Sequence, residues 1–295
     1  MSYYATETTS SVQYKKRSQW QEVWRRFTKN RQAMVGLCML ILLVFCAVFA
    51  NWIAPYDPNA QNLLNVRATP SAEHWLGTDE LGRDILSRII FGARISISVG
   101  LIAVSISLLG GVTLGAIAGY YGGVLDDVIM RVMDVLMAIP SILLNIAIVS
   151  ALGNGLQNVM IAIGISSMPG YCRIVRASIL SLKGQEFVEA SRSAGASDLY
   201  IITQHILPNC IAPLTVQASL RIGSAILSCA SMSFIGLGVI PPTAEWGAML
   251  STGRDFIRSS PHLCTFPGVA IMFAVFAMNL IGDGLRDALD PKLKK

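Results

Sequence analysis

Gly77 and Gly82 enclose four residues and are followed at once by Arg83 and Asp84, a spacing in which glycine-rich loops cradle phosphates. The chemistry does not follow the spacing. Arg83 replaces the lysine that reaches the phosphates, Asp84 replaces the magnesium-binding Ser or Thr, and no apolar strand leads into the loop. The three histidines, His74, His205 and His262, are isolated and read as polar-surface or interfacial residues rather than metal ligands. The six cysteines show no CxxC or finger spacing. Cys38, Cys46, Cys229 and Cys264 fall within apolar runs, Cys172 and Cys210 sit at segment ends, and all six read as small buried side chains. With no catalytic triad and no HExxH pattern, the chain is expected to do no covalent chemistry and to bind no cofactor or metal itself.

The composition says where such a chain must live. Of 295 residues 53% are hydrophobic and only 14% charged, with mean hydropathy +0.54, which is too apolar for an ordinary soluble domain. The net charge of +5 invites a nucleic-acid partner, but the basic residues cluster beside apolar segments, as retention on the cytoplasmic side of a membrane requires. The expectation is therefore an all-α membrane protein with no nucleic-acid partner.

Six spans can be read in order. Residues 1-32 form a polar tail and a helix whose Trp20, Val23, Trp24 and Phe27 share one face, suited equally to lipid or to protein. Residues 33-94 hold a first span, Ala33 to Ala54, and a polar external loop. The domain proper, 95-290, opens with the run Ile95 to Tyr120, whose Gly111, Gly115 and Gly119, with Gly123 beyond, recur every four residues and permit close helix contact in lipid. Asp127, Arg131 and Asp134 are spaced to pair along a third helix, which Pro140 should kink, for gating or simply for packing. Leu156 to Cys172 makes a short fourth span interrupted at Pro169-Gly170, Cys210 to Ile240 a fifth, and Leu263 to Ile281 a sixth, with 291-295 a cytoplasmic tail. Arg221 lies inside the fifth span, where it must face a wet cavity, a partner, or snorkel to the interface. With both termini inside, 16 of the 23 Lys and Arg fall on the cytoplasmic side and six outside, with Arg221 left over.

Between the fourth and fifth spans lies a polar, helix-prone stretch, 180-209. Glu186 to Ala194 favours a short helix, Gly195 supplies a bend, and Asp198 to Ile206, N-capped by Ser197, favours a second helix before Pro208. Ile201, Ile202, His205 and Ile206 give that helix an apolar stripe. The result is a knob shaped to dock onto another protein.

Glu189-Ala190-Ser191, Gly195 and the closing Ile206-Leu207-Pro208 resemble the "EAA" loop of membrane subunits of binding-protein-dependent ABC importers, with Ser191 in place of the usual second alanine. Leu76-Gly-Thr-Asp-Glu-Leu-Gly-Arg-Asp-Ile-Leu-Ser-Arg88 and the ending from Gly282 to Pro291 resemble the C-type permease subunit of dipeptide, oligopeptide and nickel importers. The resemblance implies a type I ABC importer permease fold in the bacterial inner membrane. It further implies a second permease subunit, two ATP-binding subunits carrying ATP and Mg, and an extracytoplasmic peptide-binding protein. Glu189, Ala190, Ser191, Gly195, Leu207 and Pro208 would engage an ATPase; Pro140, Asn145 and Arg221 would gate or line the path; Glu245 and Trp246 would meet the binding protein. Short peptides are the favoured cargo, with nickel chelates, glutathione and similar solutes behind them. An ion-driven transporter should carry charged residues at mid-membrane and inverted repeats, and apart from Arg221 the spans offer neither.

Overall fold

The computed structural model describes residues 19-239 and 242-289, and every regular element among them is a helix. The chain runs α1 (Gln19–Lys29), α2 (Arg31–Ile53), α3 (Ile85–Tyr121), α4 (Gly123–Ala138), α5 (Ser141–Leu152), α6 (Leu156–Leu182), α7 (Glu186–Ser193), α8 (Asp198–Tyr200), a π-helical turn (Ile201–Ile206), α9 (Leu207–Phe234), α10 (Trp246–Gly253) and α11 (His262–Leu289).

Local chemistry sets the helix starts. Asn30 accepts from the backbone N–H of Gln32 and Ala33 at 3.0 and 3.2 Å and so opens α2. Asp84 accepts from Ser87 N–H at 2.8 Å and opens α3 ten residues earlier than the uncharged run suggests, so that Arg88 and Arg94 belong to the helix and not to the loop. The α1 stripe divides: Val23 and Phe27 pack against Ala33, Ile281 and Ala288 of α2 and α11, whereas Trp24 is 59% exposed. The side chain of Trp20 lies outside the described residues.

Four helical stretches, α2, α3, Asp198–Phe234 and α11, are long and apolar enough to cross a bilayer, and α4 with α5 would make a fifth if that pair were one span. Pro140 does more than kink the third span. It stands at a 99° break, because its missing N–H and fixed φ stop α4 while suiting it to begin α5. Pro169-Gly170, by contrast, interrupts nothing: α6 runs through both for 27 residues. The expected Asp127–Arg131 and Arg131–Asp134 pairs give way to pairs across helices, Asp126–Arg176 at 2.5 Å and Asp134–Arg173 at 2.6 Å, which bind α4 to α6.

The centre of the fold is the α3–α6 contact. A Cβ on Gly111 would lie 2.8 Å from the carbonyl of Met168, on Gly115 2.5 Å from that of Cys172, and on Gly119 3.1 Å from that of Arg176. Backbone touches backbone here, and only hydrogen at those positions permits it. Gly123, fourth in the series, has open space around it and does not join the seam. Of the cysteines, Cys172, Cys210 and Cys229 are buried as expected, but Cys38 is exposed and Cys46 and Cys264 are half-buried, since an apolar run has a lipid-facing side as well as a protein-facing one.

The polar loop between α2 and α3 folds back on itself. Asp79 accepts from Leu81 and Arg83 N–H at 2.9 Å each and pairs with Arg83 Nε at 2.6 Å; Arg88 reaches the same carboxylate at 3.4 Å and the carbonyl of Pro58 at 2.9 Å. Its glycines take positive φ, +80° at Gly77 and +72° at Gly82. The charged groups of this phosphate-loop lookalike are spent on one another inside the loop. His74 and His262 are also buried here, contrary to a surface reading, with His74 Nδ1 3.0 Å from Asp84 Oδ1.

Candidate functional site

The knob is built by one short helix lying across the start of a long one. Val188, on the inner face of α7, is fully buried with Ile201 and Ile206, against Ala116, Tyr120, Val175 and Ile179 of α3 and α6. This apolar footing leaves the opposite face free: Glu189 and Ala190 are exposed, Ser191 is half-buried, and Phe187, Leu199 and Tyr200 are 40%, 71% and 52% exposed. Small side chains flanked by large apolar ones suit docking by shape.

Gly195 takes φ +81°, donates to Arg192 C=O at 3.0 Å, and is followed by Ala196 donating to Ser191 C=O at 3.2 Å. This is the Schellman closure of α7, and no neighbour lies within 4 Å of where a Cβ would stand. Ser197 then caps α8 through Tyr200 N–H at 3.4 Å, as expected. The expectation that the second helix stops before Pro208 fails. Leu207 N–H donates to Ile202 C=O, a five-residue step, so the turn widens ahead of the proline and the helix continues from Asp198 to Phe234. Leu207 is half-buried and Pro208 exposed in the first turn of α9.

Tyr120 is the knob's principal contact that the sequence did not single out. From the last turn of α3, its hydroxyl donates to Asp198 Oδ1 at 2.7 Å and accepts from Arg192 Nη2 at 3.3 Å, while Lys183 Nζ donates to its backbone carbonyl. The signal was a polar-tipped aromatic at the end of a glycine-spaced apolar run, opposite three charged positions.

The other expected site residues lie elsewhere. Pro140 is exposed at the α4–α5 break; Asn145 in α5 is 2% exposed, with its Oδ1 lacking a hydrogen-bond partner among the described residues. Arg221 is half-buried midway along α9, its Nη2 3.4 Å from where a Cβ on Gly170 would stand, and no carboxylate among the described residues lies within ion-pair reach of it. Glu245 and Trp246 are 2% and 1% exposed, so neither offers a contact surface. Glu245 caps α10 by accepting from Gly247 and Ala248 N–H at 2.9 and 2.8 Å, and burial pushes its carboxyl above the usual range against the pull of those two donors. Trp246 donates to Ile89 C=O at 3.0 Å and lays its ring over Gly92, where a Cβ would be 2.6 Å away. An interfacial tryptophan and a structural one have the same sequence appearance. No group of three or more His, Cys, Asp or Glu among the described residues could hold a metal.

Comparison with known proteins gives this architecture its relatives. Residues 111–295 match the family of binding-protein-dependent transport system inner membrane components, and residues 18–70 match the N-terminal transmembrane domain of oligopeptide transport permease C. The chain is 50% identical over 279 residues to the di/tripeptide transport system permease protein DppC of Pseudomonas aeruginosa, covering 92% of each. It is 51% identical over 281 residues to the glutathione transport system permease protein GsiD of Escherichia coli O157:H7, covering 94% of this chain and 92% of that one. Among solved structures, the inward-facing MetNI methionine ABC transporter superposes with TM-score 0.56 at 17% identity, over 70% of this chain and 98% of that one. With the family matched over most of the chain, two permeases half-identical along nearly all of it, and the fold shared with a chain of an ABC transporter, the protein belongs to the binding-protein-dependent transport system inner membrane components and is the permease subunit of an ABC importer.

Proposed function

We propose that this permease passes short peptides bearing a free carboxylate, di- and tripeptides and glutathione among them, through a path shared with a second, related permease. The observation that carries the reading is half-identity along nearly the whole chain to two permeases, one named for di- and tripeptides and one for glutathione. Two ATP-hydrolysing subunits would supply the energy, since no stretch of this chain fits a phosphate loop, and an extracytoplasmic binding protein would deliver the peptide.

In this reading α2, α3, the α4–α5 pair, α6, α9 and α11 make six crossings of the inner membrane. The 27 residues of α6 span about 40 Å at 1.5 Å each, enough for a bilayer core. The Lys and Arg distribution puts both termini, and the knob, in the cytoplasm. Residues 1-32 then serve as tail and buttress, 33-94 as first span and external loop, 95-290 as the transport domain, and 291-295 as a tail.

Glu189, Ala190, Ser191 and Gly195 would seat in a cleft of an ATPase, with Leu207 and Pro208 carrying its displacement into α9. Closure of the two ATPases would rotate the attached helices as packed bodies between inward-facing and outward-facing states. Pro140, Asn145 and Arg221 are the candidate path residues.

Co-purification of the tagged permease in mild detergent, followed by reconstitution and peptide uptake, tests the whole. The expected outcome is recovery of a second permease and ATPases, with peptide-stimulated ATP hydrolysis that Glu189→Ala abolishes. Recovery of the chain alone, with uptake driven by an ion gradient, would overturn the reading.

A further inference from the structure

Two 37-residue helical rods, Ile85–Tyr121 and Asp198–Phe234, meet at the knob, where the apolar packing between them is supplemented by one side-chain hydrogen bond. Tyr120 is 3% exposed, one residue from the end of the first rod; Asp198 is the first residue of the second. The 2.7 Å bond between them therefore links rod end to rod end. The other two partners of Tyr120 close the remaining connections: Lys183 follows the end of α6, and Arg192 lies in the last turn of α7. Thus α7 and the rod of α8 and α9 meet α3 at the Tyr120 hydroxyl, and the end of α6 meets it at the backbone carbonyl of the same residue. The apolar footing beneath, Val188 with Ile201 and Ile206, holds the knob down but is non-directional. Among the described residues, the side-chain hydrogen bonds that tie the knob directionally to α3 run through Tyr120.

We propose that Tyr120 is the positioning residue that carries movement of the knob into α3. An apolar contact allows the knob to slide over α3 when an ATPase pulls on it, whereas a hydrogen bond to a carboxylate at a helix start resists sliding. The α3–α6 glycine seam, where the two backbones touch, would then pass the displacement along both helices together. Tyr120 touches neither cargo nor nucleotide in this scheme and acts through the knob. The inference rests on the proposed coupling role of the knob.

The test uses the complete importer, with its partner permease, ATPases and binding protein, in proteoliposomes, and reads peptide uptake and ATP hydrolysis together. Tyr120→Phe keeps the ring in its buried place and removes only the hydroxyl. Uptake per ATP should fall roughly ten-fold, the weight of one hydrogen bond to a charged acceptor, with unchanged recovery of ATPase subunits on the permease. Asp198→Asn, which keeps an acceptor oxygen, should stay within about two-fold of wild type, and Asp198→Ala should match Tyr120→Phe. The double variant should be no worse than either alone, since both remove the same bond. An unchanged ratio in Tyr120→Phe overturns the proposal, as does a loss of assembled complex at constant ratio, which marks a purely structural tyrosine. Failure of the wild-type permease to retain ATPases would instead overturn the importer-coupling reading itself, a result visible before any Tyr120 variant is made.

Discussion

Gly115→Ala adds one methyl group at the closest backbone approach of the α3–α6 seam. Its Cβ would sit 2.5 Å from the Cys172 carbonyl oxygen, 3.0 Å from Val175 Cβ and 3.1 Å from the Cys172 carbonyl carbon, where ordinary contact begins at 3.4 Å. Two of the three obstacles are backbone, so no side chain can swing aside. The helices must part by about 1 Å locally or the seam must bend, an overpacking cost of about 1–3 kcal/mol. Alanine recovers up to about 1 kcal/mol of intrinsic helix propensity, leaving a net loss of up to about 2 kcal/mol. The matched control is Gly184→Ala, at a position with ordinary φ and nothing within 4 Å. Unfolding of both variants in detergent, followed by size-exclusion chromatography against temperature, measures the difference. The seam variant should fall below wild type and the control should not. Equal midpoints for Gly115→Ala and wild type would refute the idea that backbone contact at this glycine holds α3 to α6.

Three further outcomes follow from the same geometry. Gly195→Ala meets no neighbour but forces an L side chain to φ +81°, so it should weaken ATPase retention by about 1–2 kcal/mol; Gly195→Asn, better tolerated there, should weaken it less, and equal retention by all three would refute the bend's role. Arg221→Gln should reduce uptake of a free-acid dipeptide while Arg221→Lys keeps most of it, and indifference to both would remove Arg221 from the path. Because burial raises the Glu245 carboxyl, the folded state holds that proton more tightly than the unfolded one, and the contribution is present at acid pH and lost as pH rises through the raised value. The wild-type thermal midpoint should therefore decline above the normal carboxylate range relative to Glu245→Gln, and parallel pH profiles would contradict this.

Much of the knob was legible because its determinants are local. A glycine that must take positive φ, a serine three residues ahead of an N–H it caps, and an isoleucine stripe all leave their mark within a dozen residues. The seam was legible for a similar reason, since glycines at four-residue spacing admit few other uses in a span, although the pattern overran by one at Gly123. What the sequence hid was partner choice. Asp134 had a plausible mate in Arg131 on its own helix, and only the close approach of α6 gives it to Arg173 and pairs Asp126 with Arg176. Trp246 looked partner-facing because its flanks are loop-like; its burial depends on Gly92, far away in the sequence, leaving room for an indole. Prolines proved least readable: Pro169 and Pro208 sit within continuous helix, while Pro140 marks a near right angle.

The wide turn before Pro208 sets how the faces of the second rod are aligned. Each residue of an α-helix advances the side-chain direction by about 100°, and a five-residue hydrogen-bond step inserts an advance that a regular helix lacks. The azimuth of α9 is thereby offset from that of α8, although the backbone never breaks. A wheel drawn through Ile201–Ile206 with a single period misassigns the faces of α9. The offset is also a phase setting: removing one residue from this turn would leave knob and span individually intact yet rotate one against the other, like a gear reseated by one tooth.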